Sequence, residues 1–281
     1  MGRRENNVMI FEDTVNFVNS SDKLMRFIVD TRNAQKIILE TDVIPEPEEK
    51  QIKEGKIIVS GKRTLEAAGN YPDKKVCILN FASSTNPGGG VVHGSSAQEE
   101  SICRCSTLYF CINTEENMKS FYIPHRRKGD PLYNDDLIYS PGVYVIKSDT
   151  SHPERLSEKD WYQVDVITCA APNLREHPGN IMNPDGGKYA AKISEDDLAL
   201  LLEKRIRRIV KVAAVHQNEV LILGAFGCGA FRNPPEIVAG TFHKVLDECR
   251  GWFEIIEFAV FHTTAETKNY DAFRREFSHL M

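Results

Sequence analysis

The sequence predicts an α/β fold, in which helices cover a sheet, because strand-like apolar runs alternate with helix-like runs from residue 76 onward. Its 281 residues, 41% of them hydrophobic and 27% charged, have the composition of a globular protein with one large domain or two small ones. Glycine-rich loops follow two of the strand-like runs, and ligands bind at such strand ends in open α/β sheets. These observations predict both the fold and the place of its site.

The first seventy residues are predicted to form a mostly helical N-terminal extension packed on the core. Apolar residues recur at helical spacing over residues 24–34, after a run of Ser20, Ser21 and Asp22 that can cap a helix. Residues 36–39 and 56–60 are predicted strands, and residues 63–68 a short helix. Residues 71–281 are predicted to form the main domain.

The main domain is predicted to alternate strands and helices. Strands are expected at residues 76–81, 143–146, 164–170, 220–223 and 255–261. Helices are expected at residues 95–111, 194–216, 234–246 and 270–277. Residues 124–141 and 172–192 are rich in Pro, Gly, Asn and Asp, which predicts loops around a site. The basic runs at residues 125–128 and 204–211 are interpreted as solvated surface, although the first also suits an anionic polymer.

Composition argues against several classes of protein. No run approaches the roughly 20 apolar residues of a membrane span, and the polar start lacks the apolar core of a signal peptide, so we expect a cytoplasmic protein that avoids membranes. With a net charge of -5, the chain lacks the excess positive charge that attracts a nucleic-acid backbone, so no direct nucleic-acid binding is expected. The seven cysteines are an odd number and predict reduced thiols. Cys103, Cys105 and Cys111 lack paired metal-ligand spacing, and Asp130, Asp135 and Asp136 are interpreted as turn formers, so no metal site is predicted.

The most informative segment is a triple-glycine loop followed by two acids. Gly88, Gly89 and Gly90 come after the strand predicted at residues 76–81, and they let a polar ligand approach the main chain closely. Glu99 and Glu100 then fall in the first turn of a predicted helix, beside its free backbone N–H groups. Each piece alone is ordinary turn and helix chemistry, but the strand–loop–helix junction favours a ligand site.

A second glycine cluster follows the strand predicted at residues 220–223. Its glycines do not have the G-x-G-x-x-G spacing of a dinucleotide fingerprint, and no Gly-Lys-Ser/Thr of a P-loop ends it. Backbone amides of such a loop can converge on an anion at a helix N-terminus. Two such loops in one domain favour a ligand with two phosphates.

Together, these motifs resemble the signature of the poly(ADP-ribose) glycohydrolases, and of their microbial-type branch most closely. The resemblance rests first on the sequence GGG, which a short spacer separates from the sequence QEE. The sequence NFASSTNP precedes this pair and the sequence GAFGCGAF follows far downstream, and the similarity extends over residues 60–275. It implies a macrodomain-like mixed sheet in a three-layer α/β/α arrangement, with residues 71–281 as the catalytic domain. It also implies hydrolysis of ribose–ribose bonds from chain ends, with no metal or cofactor. The implied partners are poly(ADP-ribose), ADP-ribose and ADP-ribosylated proteins, for a monomeric enzyme of the cytoplasm, or of the nucleus in a eukaryote.

The resemblance also implies roles for individual residues. Glu100 matches the catalytic glutamate, and Glu99 its neighbour that helps to hold the ribose. The ligand-binding positions are Asn80, Asn86, Gly88, Gly89, Gly90, Val91, Gln98, Gly224, Gly227, Cys228, Gly229, Ala230 and Phe231. No residue is assigned to the adenine pocket. The tyrosine-bearing loop of the vertebrate enzymes has no clear counterpart, with Tyr133 and Tyr139 as its only candidates.

Helix geometry indicates that the two acids differ in role. Neighbouring helical residues point about 100° apart, so Glu99 and Glu100 do not face one bond in the same way. His93 in the glycine loop is interpreted as a surface or supporting residue.

Three alternative functions stay open. They are a non-catalytic ADP-ribose reader, a hydrolase of terminal mono-ADP-ribose on protein or nucleic acid, and a dinucleotide-dependent enzyme, which the glycine spacing disfavours.

Overall fold

A computed structural model describes residues 2–47, 55–179, 187 and 189–280. Within these residues the chain forms a seven-stranded sheet with the order β1-β4-β5-β3-β6-β7-β2. The strands are β1 Lys36–Ile38, β2 Lys56–Ser60, β3 Val76–Phe81, β4 Leu137–Val145, β5 Tyr162–Cys169, β6 Val220–Leu223 and β7 Ile255–Ala259. β4 runs antiparallel to both of its neighbours, whereas the pairs from β5 across to β2 are parallel. The predicted mixed sheet is confirmed.

Helices cover both faces of the sheet, as predicted for a three-layer fold. The helices are α1 Arg3–Asn19, α2 Asp22–Ala34, α3 Thr64–Ala68, α4 Gln98–Cys105, α5 Leu108–Ile112, α6 Glu115–Asn117, α7 Ile123–Lys128, α8 Glu195–Val215, α9 Pro235–Cys249 and α10 Lys268–Glu276. Alternate residues of β3 point to opposite faces, so Cys77 and Leu79 pack with α8, α9 and α10. Val76 and Ile78 pack on the other face with α1 to α5. Burial on both faces explains why β3 is apolar along almost its whole length.

The N-terminal region contributes both helices and strands. Ser21 caps α2 as expected, since its side chain accepts a hydrogen bond from the Leu24 N–H. Helix α1 was not predicted, because its polar sequence shows little apolar periodicity and few of its residues, among them Phe11 and Val18, are buried. Strands β1 and β2 form the two edges of the sheet, so the sheet draws on both sides of the predicted boundary at residue 70. The division into two domains stays a prediction.

Two sequence predictions about local structure are wrong. The helix expected at residues 95–111 is two helices, because Thr107 N–H leaves the helix to donate to Tyr144 O at the end of β4. The loop expected at residues 124–141 contains α7 and the first half of β4. A bulge between Ser140 and Val143, with Gly142 at φ 66°, continues the strand through a sequence that resembles a turn. In the loop expected at residues 172–192, residues 180–186 and 188 lie outside the described part.

The basic runs are not simply solvated. His125 is buried in α7, and Arg205 of α8 is buried with its Nε donating to Asp135 Oδ1 at 2.9 Å.

The seven cysteines all lie in the described residues, and none forms a disulfide. Among the described helices, none has the length and apolar character needed to cross a membrane. No cluster of His, Cys, Asp and Glu suited to a metal ion is found in the described ranges.

Candidate active site

A cavity of about 750 Å³ opens beyond the carboxyl ends of β3, β6 and β7. It is the place where an open α/β sheet binds ligands. The predicted site residues that line it are Gly89, Gly90, Gln98, Glu99, Glu100, Gly227, Gly229, Ala230 and Phe231. The two glycine loops, far apart in sequence, therefore lie on one cavity together with both acids.

The triple-glycine loop is shaped by close contacts as well as by backbone conformation. Gly88 and Gly89 have φ values of 70° and 57°, in the left-handed region that favours glycine. A Cβ on Gly89 would lie 2.6 Å from Glu100 Oε1 and 3.0 Å from Glu99 Oε2, and a Cβ on Gly90 2.3 Å from Ser95 Oγ. The loop thus runs directly against the two carboxylates, with no room for side chains.

Glu100 holds one carboxyl oxygen fixed and leaves the other without a protein partner. The Gly90 N–H donates to Oε1 at 2.9 Å, whereas Oε2 is buried and has no hydrogen-bond partner among the described residues. The side chain is 7% exposed and lines the cavity. An unpartnered buried carboxyl oxygen is costly, and it is explained when a ligand group completes its hydrogen bond.

Glu99 has both oxygens occupied. Oε1 accepts from Asn80 Nδ2 at 3.3 Å and Oε2 accepts from the Ser83 N–H at 2.7 Å. Asn80 is fully buried in β3 and also donates to Thr168 Oγ1 at 3.2 Å, so it fixes Glu99 from behind the cavity wall. The two acids therefore differ in environment.

Burial dominates the titration of both acids. It raises the pKa of Glu100, against the lowering effect of the Gly90 N–H and the nearby Arg104 guanidinium. Burial and the charge of Glu100 raise the pKa of Glu99 well above its usual range, whereas the donors from Ser83 and Asn80 act in the opposite direction. A raised pKa keeps a carboxyl protonated at higher pH, as a proton donor requires.

Gln98 ties the start of α4 to the end of β3. Its Oε1 accepts from the Phe81 N–H at 2.8 Å, and its Nε2 donates to Leu79 O at 2.7 Å. The QEE sequence thus combines one residue that positions the helix with two acids at the cavity.

The second glycine loop needs glycine at Gly227 and Gly224 for different reasons. Gly227 has φ 74°, and a Cβ there would lie 2.5 Å from both Ala171 Cβ and Asn233 Nδ2. A Cβ on Gly224 would lie 2.8 Å from Ala259 O, so this glycine permits close packing of β6 and β7. Gly229 has no atom within 4 Å of a Cβ position, so it leaves its backbone open to the cavity.

Other predicted site residues support the walls and do not line the cavity. Asn86 Oδ1 accepts from Arg126 Nη2 at 2.8 Å, and Val91 is buried in the short 3₁₀ helix Val91–His93. Gly88 packs on Tyr109, and Cys228 is partly buried, with burial raising its pKa. These residues shape the loops from behind.

The two candidate tyrosines lie in different places. Tyr133 has a backbone φ of 58°. Its ring centroid lies 6.1 Å from the ring centroid of Phe231, which lines the cavity. Tyr139 donates to Asp165 and stacks on His216, within the core between β4 and α8. Tyr139 is therefore excluded as a site residue by its position.

Residues that sequence reasoning missed complete the cavity. Phe261, at the end of β7, is 50% exposed and lines it, and the Arg63 guanidinium lies 4.0 Å from the Phe261 ring centroid. Arg3 and Arg4 of α1 and Arg175 also line it. An aromatic residue at the carboxyl end of a predicted strand, at the same sheet edge as both glycine loops, is the signal that could have found Phe261.

Comparison with known proteins identifies the family and the fold that this chain resembles. A family model described as the catalytic domain of microbial-type PARG, the abbreviation for poly(ADP-ribose) glycohydrolase, matches residues 7–148. The poly(ADP-ribose) glycohydrolase of Thermomonospora curvata bound to the inhibitor ADP-HPD is 30% identical over 98% of this chain and 100% of that chain, with a TM-score of 0.80. A second structure of that enzyme is 28% identical with the same coverage and a TM-score of 0.79.

A Deinococcus radiodurans poly(ADP-ribose) glycohydrolase in complex with ADP-ribose is also similar. It is 32% identical over 90% of this chain and 98% of that chain, with a TM-score of 0.74. No curated protein sequence matches the chain.

Proposed function

The chain belongs to the microbial-type PARG family, and from that premise we propose that it is a poly(ADP-ribose) glycohydrolase that releases ADP-ribose from chain ends. The reaction hydrolyses the O-glycosidic bond between two riboses. The observation that carries the proposal is the state of Glu100, whose Oε1 is held by Gly90 while its buried Oε2 has no protein partner in the described residues.

Glu100 is proposed as the proton carrier. With the proton on Oε2, the carboxyl donates it to the leaving ribose oxygen as the glycosidic bond breaks, and positive charge develops on the anomeric carbon. The resulting carboxylate stabilises that charge. It then takes a proton from a water molecule, whose oxygen bonds to the anomeric carbon, and Glu100 returns to its acid form.

Glu99 is proposed to bind a ribose hydroxyl without exchanging a proton with the leaving group. Its oxygens already accept from Asn80 and Ser83, which fixes the carboxyl group and leaves further lone pairs towards the cavity. A fixed acceptor beside Glu100 orients the ribose, and orientation supplies a large part of an enzymatic rate.

The rest of ADP-ribose is proposed to extend along the cavity. The diphosphate would accept from backbone N–H groups of residues 227–231, next to the N-terminus of α9. The exposed ring of Phe261 offers a stacking surface for adenine at the same cavity. The enzymes from T. curvata and D. radiodurans bind ADP-HPD and ADP-ribose, respectively, in similar folds.

A non-catalytic reader is the weaker alternative. A reader gains nothing from a buried carboxyl oxygen without a partner, which costs stability in the unbound protein. ADP-ribosylated proteins as substrates, a monomeric state, a cytoplasmic location and the absence of direct nucleic-acid binding remain predictions of the sequence.

The proposed function is tested with labelled poly(ADP-ribose) and a mono-ADP-ribosylated peptide at equal enzyme concentration. We expect ADP-ribose release from the polymer and much slower release from the peptide. Binding of ADP-ribose without any release from polymer would refute the proposal and favour a reader. Faster release from the peptide would favour the mono-ADP-ribose hydrolase.

A further inference from the structure

A second cavity of about 470 Å³ adjoins the main one. Arg3, Arg63, Ser96 and Ser101 line both cavities, so the two cavities share these four residues as a common wall. The second cavity lies between the start of α1, helix α4 and residues 150–153. No Asp or Glu is among the described residues that line it.

Arg104 is the buried cation of this cavity. Its side chain is 5% exposed, and its Nη1 donates to Ser95 O at 2.6 Å. Arg104 forms no ion pair within 4 Å among the described residues, although the charges of Glu100 and Asp149 act on it from further away. The guanidinium is buried, and one hydrogen bond to a carbonyl leaves most of its five donors unused.

Asp149, one of the carboxylates whose charge acts on Arg104, already has partners. Asp149 accepts from Ser101 Oγ at 2.9 Å and from the Leu65 N–H at 3.1 Å, and it faces the main cavity. The second cavity therefore gathers Arg3, Arg63, Arg104 and hydroxyl groups, with no carboxylate among its described lining residues. Planar guanidinium groups bind phosphate oxygens through paired hydrogen bonds, which makes a phosphate the matching ligand.

The position of Arg104 links this cavity to the chemistry at Glu100. The two residues are four apart in α4, so their side chains leave the same face of the helix, about one turn of 5.4 Å apart. A substrate held at Glu100 continues, across the bond being cleaved, into a second ADP-ribose unit with its own diphosphate.

We propose that the second cavity binds a phosphate of the ADP-ribose unit joined through the scissile bond to the unit in the main cavity. The proposal rests on the proposed glycohydrolase function. It assigns Arg104, Arg3 and Arg63 to recognition of the polymer beyond its terminal unit.

The direct test is a calorimetric titration of pyrophosphate into the full chain. The main cavity is filled with ADP-ribose beforehand. We expect the wild type to bind pyrophosphate, and Arg104→Gln and Arg3→Gln to weaken it about tenfold or more, the size of one lost charge-assisted hydrogen bond. Arg104→Lys, which keeps the charge, restores part of the affinity. Arg26→Gln is the matched control, because Arg26 is an exposed arginine of α2 that lines neither cavity.

The exposed Arg3 keeps the test valid if Arg104→Gln does not fold. Wild-type affinity in Arg3→Gln and in every folded Arg104 variant, or an equal loss in Arg26→Gln, would overturn the proposal. Absence of pyrophosphate binding to the wild type would do the same.

A kinetic arm identifies the source of the phosphate. We expect Arg3→Gln and Arg104→Gln to raise KM for the polymer about tenfold while the Kd of ADP-ribose changes less than KM does. Loss of pyrophosphate binding with an unchanged KM for polymer would assign the cavity to free anions and overturn the proposal. If the wild type released no ADP-ribose, the proposed function would fail while the pyrophosphate titration still reported on the site.

Discussion

Replacement of Gly89 by alanine tests whether the triple-glycine loop sets the position of Glu100. The new Cβ would lie 2.6 Å from Glu100 Oε1, whereas ordinary contact begins near 3.4 Å, so the carboxylate must retreat by about 0.8 Å. That movement stretches or breaks the hydrogen bond from the Gly90 N–H, which is 2.9 Å long. Misplacement of a reacting group by about 1 Å can lower the rate about 100-fold.

The same substitution costs stability through the backbone. Gly89 has φ 57°, and an alanine in the left-handed region costs about 1–2 kcal/mol. In a protein of this size, 1 kcal/mol lowers Tm by about 2–4 °C. We therefore expect Gly89→Ala to lower kcat on poly(ADP-ribose) about 100-fold and Tm by a few degrees.

Gly240→Ala is the matched control. Gly240 lies within α9, and no atom is within 4 Å of its Cβ position, so alanine should raise the free energy of unfolding by about 0.5–1 kcal/mol and leave kcat unchanged. The assays are ADP-ribose release under saturating polymer and thermal unfolding of both variants. Wild-type kcat in a folded Gly89→Ala variant would refute the inferred coupling between the loop and Glu100.

Three further predictions follow from titrating and charged groups. Because burial raises the pKa of Glu100 and its protonated form is the donor, kcat/KM should be constant at low pH and fall as pH rises through that pKa; a rise with pH would contradict this role. The stabilising effect of a raised folded-state pKa is complete below the unfolded pKa and lost as pH rises through the folded one, so Tm of Glu100→Gln relative to wild type should increase as pH rises between the two pKa values, and a constant difference would argue against it. Arg205→Met leaves the buried Asp135 without its main partner and should cost about 3 kcal/mol in denaturant unfolding, whereas Lys204→Met, at a position 62% exposed, should cost less than about 1 kcal/mol; equal losses would disprove this difference.

Much of the fold and the core of the site follow from local sequence signals. Buried parallel strands such as β3 and β6 are continuous apolar runs, and α8 and α9 show helical periodicity, so their existence and approximate bounds are predictable. The different directions of the Glu99 and Glu100 side chains follow from helix geometry. The structure adds which atoms hold each acid.

The parts that local signals do not predict depend on contacts between distant segments. Helix α1 has a weak apolar pattern because it is anchored partly through polar groups, including Asn7 Nδ2 donating to Gly94 O at 3.0 Å. The break between α4 and α5 depends on pairing of Thr107 with the end of β4. Arg3 and Arg63 meet Arg104 only in the folded chain, and a single sequence does not display such convergence.

Comparison of the wild type with Glu100→Gln tests the central claim most directly. Glutamine keeps the size of the side chain and an oxygen for the Gly90 N–H, but it supplies no acidic proton. We expect the variant to bind ADP-ribose within a few-fold of the wild-type Kd and to release no ADP-ribose from labelled polymer above background. Release by Glu100→Gln at the wild-type rate would remove Glu100 from the mechanism and contradict the account.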